Sequence, residues 1–376
     1  VSDIEIGDTW ESIDAVGITI QGRNHRIGSA QQPLNAPLIK YALDCSFNDI
    51  ILTIDIPDPS GMWTGALVRT GEGVLIENCT AHGTVRAQEG AGGLAGRLLR
   101  NSRVERCANY ADVGGKQQYF GGIVGFTNFT GISQCTNHGR VAPAGNSRKP
   151  MYFGGIAGRF CNSDLVYCKN KGEISGGDGQ VIGGIAGYVS GDIQITGNSN
   201  HAKVSGGHYV GGIVGDSFCL DDETVRISDN RNEAPVRAAR TCAGGIVGSA
   251  FHSVDVTRNY TTERAAVTSG KQCAGGIVGF ARAHGASSKV DISNNLAMNG
   301  SVKSSDFGHP ILGCFAQADG ASFSAVDNSV GQTIAPSAGG NADDGAAEIL
   351  APIRSIRIND ASHNLNVQDS AAAADK

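Results

Sequence analysis

Residues 119–141 read "YFGGIVGFTNFTGISQCTNHGRV", and the role of their glycines decides the fold. Taken alone, Gly121-Gly122-Ile123-Val124-Gly125 has the glycine density of a phosphate-cradling loop. A Walker-type loop needs GxxxxGK[ST] between a strand and a helix, because the Lys and the helix N-terminus hold the phosphates. Here neither the Lys nor a helical period follows. The motif instead recurs with its first glycine at 92, 121, 154, 183, 211, 244 and 275, as GGLAG, GGIVG, GGIAG, GGIAG, GGIVG, GGIVG and GGIVG. Spacings of 29, 33, 29, 28, 33 and 31 residues mark a solenoid, propeller or array.

Two further elements keep step with the glycines. One is a short segment led by an aliphatic residue and ending at Cys79, Cys107, Cys135, Cys168, Asn198, Asn230, Asn259 or Asn295. Nine residues after the leading aliphatic comes another, at Val85, Val113, Val141, Ile174, Val204 and Val236, drifting to Val267 and Val302 in the last two copies. No segment sustains a 3.6-residue period, so helices are not expected inside the repeat. Three short strands in roughly 30 residues fit one coil of a β-helix, whereas a propeller blade needs four strands and about 40 residues. The expected fold is an all-β, right-handed parallel β-helix of about eight or nine coils, stacked at the interstrand spacing of about 4.8 Å.

Stacking places identical residues on neighbouring coils. Cys79, Cys107, Cys135 and Cys168 then form one ladder that continues as Asn198, Asn230, Asn259 and Asn295. Asn at a turn satisfies backbone groups through its amide, and Cys there acts as a small buried hydrophobe. Cys242 and Cys273 form a second stack before their glycine motifs. Parallel side chains suit the disulfide torsion poorly, so all six thiols are expected to be reduced.

The ends depart from the pattern. Residues 1–60, with "ITIQGRNHRI" (18–27), lack the GG signature and read as a capping coil; 61–334 hold the repeats. In 309–330, Pro310-Ile311-Leu312-Gly313 is a worn copy of the motif. Residues 335–376 read as a low-complexity tail in which "ILAPIRSIRI" (349–358) could add one capping strand. The opening "VSDIEIGDTW" shows no charged start before an apolar run, so any secretion signal is expected to lie outside these residues.

The combination of "GGIVG", an I.QC.N.G.V segment and the preceding "ITIQGRNHRI" resembles the GLUG-type repeats of bacterial surface proteins. Such repeats occur in large secreted adhesins and in non-catalytic regions of IgA-cleaving surface peptidases. The resemblance covers roughly residues 18–334 and implies an extracellular or cell-surface scaffold. The high cysteine content and the worn last repeat depart from that family.

Composition narrows the partners. A net charge of −6 offers no basic field for nucleic acid or an anionic membrane, and no run of about 18 apolar residues spans a bilayer. Tyr119, Tyr152 and Tyr209 share the position before the glycine motif. Facing outward they would form a broken stripe suited to stacking on sugar rings. Val181, Cys242 and Cys273 at the same position favour the core instead. Longer linkers at 142–150, carrying Arg148 and Lys149, at 216–224, carrying Asp221-Asp222-Glu223, and at 280–289 mark a face for glycan or protein contact. Three consecutive carboxylates cannot all face one ion, so the acidic stretch reads as a solvated loop. His82, His138 and His201 share a turn register and read as an exposed row. No metal, cofactor or catalytic constellation is expected. These features describe a non-catalytic, adhesin-like binding or spacer module. The alternatives are a carbohydrate-active β-helix enzyme of the lyase or glycoside hydrolase type, and a fibre subunit assembling end to end, as a homo-oligomer.

Overall fold

The computed structural model describes residues 3–4, 10–57, 61–144, 151–177, 181–219, 223–283, 288–317 and 321–333, with three further strands at Glu348–Ile353, Arg357–Ile358 and Leu365–Asn366. Arg148, Lys149, Asp221 and Asp222 lie outside the described residues. The described chain is all-β with no helix, and its parallel strands stack into a β-solenoid of about ten turns, about 29 residues each.

One turn shows the plan. Tyr119–Gly121 joins a nine-stranded, glycine-rich sheet, and Val124–Ser133 crosses a long second sheet. Thr136–Asn137 and Val141–Pro143 complete the turn in a third sheet. Pairing between turns is parallel and in register: Tyr119 meets Tyr152, Val141 meets Ile174 and Phe120 meets Phe153. The inward residues fill one continuous core, in which Phe120 and Phe153 stack with ring centroids 5.2 Å apart. The worn copy closes a turn as well, since Phe307–His309 and Leu312–Gln317 pair with the turn before.

Residues 13–56 supply two turns where one capping coil was expected. Ile13–Val16, Thr19–Gln21 and Arg26–Ile27 pair strand for strand with Ile39–Leu43, Ser46–Asn48 and Ile51–Ile56. Neither turn contributes to the glycine-rich sheet, which begins at Trp63–Gly65. Without that sheet there is no glycine corner, and so no motif to count. At the other end, Glu348–Ile353 lies antiparallel against Asn328–Thr333.

A second corner sits just before each Cys or Asn of the ladder. Asn78, Arg106, Gln134, Tyr167, Gly197, Asp229, Arg258 and Asn294 all have φ between 51° and 68°. This left-handed step turns the backbone amide of the next residue inward. The ladder residue of the following turn satisfies it: Asn230 N–H donates to Asn259 Oδ1 at 3.0 Å, while Asn230 Nδ2 donates back to Ile195 O at 2.7 Å. Cysteine does the same work less well. Cys79 N–H and Cys135 N–H donate to the Sγ of Cys107 and Cys168, both at 3.4 Å. These cysteines are therefore weak stand-ins for Asn as well as small hydrophobes.

The glycines are forced by close approach. At the second glycine of the motif, a Cβ on Gly122 would strike Gly155 O and the Asn137 amide. At the third, a Cβ on Gly158 would run into the backbone nitrogen of Phe120 and sit 2.9 Å from Tyr119 C, in the neighbouring sheet. Gly158→Ala must then prise that corner open, at an expected cost of about 3 kcal/mol, the upper end for overpacking. Urea unfolding measures it; a change within about 0.5 kcal/mol, typical of a tolerant surface site, would mean the third glycine is dispensable.

Candidate functional site

The residue after the third glycine of each motif points outward and away from the core. In register these residues are Arg97, Phe126, Arg159, Tyr188, Asp216, Ser249, Phe280 and Cys314. A second outward row heads the glycine-rich strands: Trp63, Gly90, Tyr119, Tyr152, Val181, Tyr209, Cys242 and Cys273. Side chains on the outer faces of two different sheets touch only if the sheets meet at a concave angle. They do touch. Tyr119 packs against Phe126 with centroids 5.6 Å apart, Tyr152 against Tyr188 at 5.5 Å, and Cys273 is bonded to Cys314.

This corrects the core reading of the tyrosine position. Tyr119, Tyr152 and Tyr209 are half-buried, whereas the next residues, Phe120, Phe153 and Val210, are fully buried in the interior. Val181, Cys242 and Cys273 are buried too, at 6%, 2% and 4% exposure, although they share the outward register. The facing row covers them. Small or apolar residues at an outward position thus reflect the concave corner.

The aromatic rings form an offset stack along the rod. Trp63 and Tyr119 lie 5.8 Å apart and within 6° of parallel, with Gly90 between them leaving room for the indole. Tyr119 and Tyr152 follow at 5.5 Å and 14°. Because each face is partly covered by the next ring, the stack offers ring edges and phenol hydroxyls as much as open faces. Arg97 lies over Trp63 and Phe126, its guanidinium carbon 5.8 and 5.6 Å from the ring centroids. Arg159 lies over Tyr119, Phe126 and Tyr188 at 6.0, 5.6 and 5.2 Å. Burial raises the phenol pKa values of Tyr152, Tyr188 and Tyr209, which keeps these hydroxyls neutral donors.

Asp216 is the one carboxylate in either row. Burial raises its pKa to about 7, against a hydrogen bond from Ser249 Oγ at 2.5 Å that works the other way. It was expected in a loop insertion, yet it lies within the strand Val214–Phe218. The other two longer linkers likewise begin as strand, at Val141–Pro143 and Val278–Ala283. Glycoside hydrolysis needs two carboxyls flanking the bond, and these rows provide one.

The disulfide is a second correction. Cys273 was expected reduced, stacked on Cys242. The Cα atoms of Cys273 and Cys314 are 5.7 Å apart across the corner, where side chains converge and do not run parallel. Cys79, Cys107, Cys135, Cys168 and Cys242 are free and buried, and burial raises the Cys135 and Cys242 thiol pKa values.

The histidine row also has an intervening member that was not anticipated. Tyr110 sits between His82 and His138, with centroids 4.9 and 4.4 Å away and planes within 9°. Burial lowers the pKa of both imidazoles. His201 faces Glu233 at 3.2 Å. Among the described residues no group of three His, Cys, Asp or Glu side chains is placed to hold a metal ion, and no helix is long and apolar enough to cross a membrane.

Compared with known proteins, the chain matches no family model, no curated protein and no solved structure.

Proposed function

We propose that this chain is a non-catalytic, extracellular binding module that engages a glycan along its aromatic corner. The observation carrying this reading is the Trp63–Tyr119–Tyr152 stack with Tyr188 and Tyr209 beside it, all partly open and all outward. Rings, neutral hydroxyls and guanidinium groups alternating along a concave edge match the alternating apolar faces and hydroxyls of a sugar chain. The Cys273–Cys314 disulfide supports an oxidising compartment, and burial protects the remaining thiols there. The likeness to GLUG-type repeats of secreted adhesins points the same way.

Asp216 favours a second reading, a carbohydrate-active enzyme, since an acid titrating near neutrality suits general acid–base work. Binding the purified chain to a panel of immobilised polysaccharides tests the first. Retention of at least one glycan, weakened about tenfold by Tyr152→Ala, as expected for losing roughly 1.4 kcal/mol of ring contact, is the supporting result. Shortening of the retained polysaccharide over time would favour the enzyme, and no retention at all would remove the glycan reading.

A further inference from the structure

Arg97 and Arg159 stand on either side of Phe126 in one outward row, two turns apart, which places their guanidinium groups roughly 10 Å apart along the rod. Each guanidinium carbon lies 5.6 Å from the centre of the Phe126 ring. The Nε of each is buried and has no hydrogen-bond partner. Among the described residues neither guanidinium makes an ion pair, in contrast to Arg100, Arg106, Arg226, Arg231 and Arg258 elsewhere on the surface. Asp216 does not neutralise them, since it lies two register positions beyond Arg159 and is hydrogen-bonded to Ser249. The buried Nε atoms are out of a ligand's reach, so the terminal nitrogens of these two guanidinium groups, whose charge no carboxylate balances among the described residues, are the ones left to meet it.

We infer that the corner recognises an acidic glycan, with Arg97 and Arg159 each receiving the carboxylate of a uronic acid residue. The inference rests on the glycan-binding reading above and specifies the charge of its ligand. A guanidinium presents paired N–H donors in a plane that matches the two oxygens of a carboxylate, and a ring behind it fixes that plane before the ligand arrives. The separation of two turns is on the scale of a disaccharide, which fits a polymer whose acidic residue recurs at every second sugar. The phenol hydroxyl of Tyr152 is left for the neutral sugars between. The whole chain carries a net charge of −6, so attraction must come from this local pair and not from the overall field.

The test measures the full chain, by biolayer interferometry, against immobilised hyaluronan, carboxyl-reduced hyaluronan, dextran sulfate and dextran. The inference expects binding to hyaluronan, at least tenfold weaker binding to its carboxyl-reduced form, and further weakening as salt is raised. Arg97→Gln with Arg159→Gln should lower hyaluronan affinity at least tenfold while leaving the thermal unfolding midpoint near that of the native chain. If the double variant fails to fold, the carboxyl-reduced polymer on the native protein still decides the matter. Equal binding to hyaluronan and its reduced form, or to dextran alone, overturns the inference but leaves glycan binding standing. Preference for dextran sulfate overturns the assignment to a carboxylate. Failure to bind any polysaccharide, including the wider panel, removes both readings together.

Discussion

Asp216→Asn is expected to stabilise the protein at alkaline pH and to flatten its stability profile below neutrality. The carboxyl has an unfolded value of 3.8 and a folded value raised to about 7 by burial. Between those values the folded chain binds more protons than the unfolded one, so stability falls as pH rises through the window. It is greatest below about pH 4 and levels off above about pH 7. The raised value corresponds to about 4 kcal/mol across the window, an upper limit because Asp216 keeps partial exposure. Asparagine holds the Ser249 contact without a charge to desolvate, so the variant should match the native chain at pH 4 and exceed it by up to that amount at pH 8. Guanidinium unfolding at both pH values measures the difference. Parallel profiles for the two proteins would mean that Asp216 ionises freely.

What could be read from the sequence followed residue identity. The GGIxG motif and the Cys/Asn position repeat as letters, because coil corners and inward amides demand the same residue on every turn. The aromatic corner was half legible for the opposite reason. Its tyrosine row repeats often enough to be seen, but Val181, Cys242 and Cys273 disguised its direction. The facing row varies from Arg to Phe, Tyr, Asp, Ser and Cys, and no identity search finds it. Its signal was positional, since every member directly follows the last glycine of a motif or of its worn copy. That glycine has no side chain to fill the angle, which leaves the next residue to line it. The Cys273–Cys314 bond belongs to the same geometry, as it joins the two rows and not two members of one ladder. The two turns within residues 13–56 escaped because they never enter the glycine-rich sheet.

Asn170→Ala is expected to cost about 4 kcal/mol, at the level reserved for breaking a buried polar network. Asn109, Asn137, Asn170, Asn200 and Asn232 form a ladder inside the rod that was present in the sequence only as the "N" of the I.QC.N.G.V pattern. Each is fully buried. Asn170 Nδ2 donates to Gly172 O at 2.9 Å and to Asn200 Oδ1 at 2.8 Å. Its Oδ1 accepts from Asn137 Nδ2 at 2.9 Å and from Gly172 N at 3.3 Å. Removing this amide orphans a donor on one neighbour, an acceptor on the other and both backbone groups of Gly172, where each unsatisfied group costs about 1–3 kcal/mol before relaxation. It also leaves a hole beside Gly155, whose missing side chain made room for the amide. At the end of the ladder Asn109 bonds to one amide neighbour, Asn137, and its turn partner on the other side is Ala81. Asn109 still bonds both backbone groups of Ala111, so it makes three bonds to the four of Asn170, and Asn109→Ala should cost about three quarters as much if each bond carries a similar share. Because each turn of a solenoid contacts only its neighbours, the loss should be local. Hydrogen exchange should quicken most at the amides of residues 169–172 and 199–202, with the turns near Arg258 keeping their protection. Equal costs for Asn109→Ala and Asn170→Ala would show that the amides act one by one, each capping its own turn, and that the chain of side-chain bonds adds nothing along the rod.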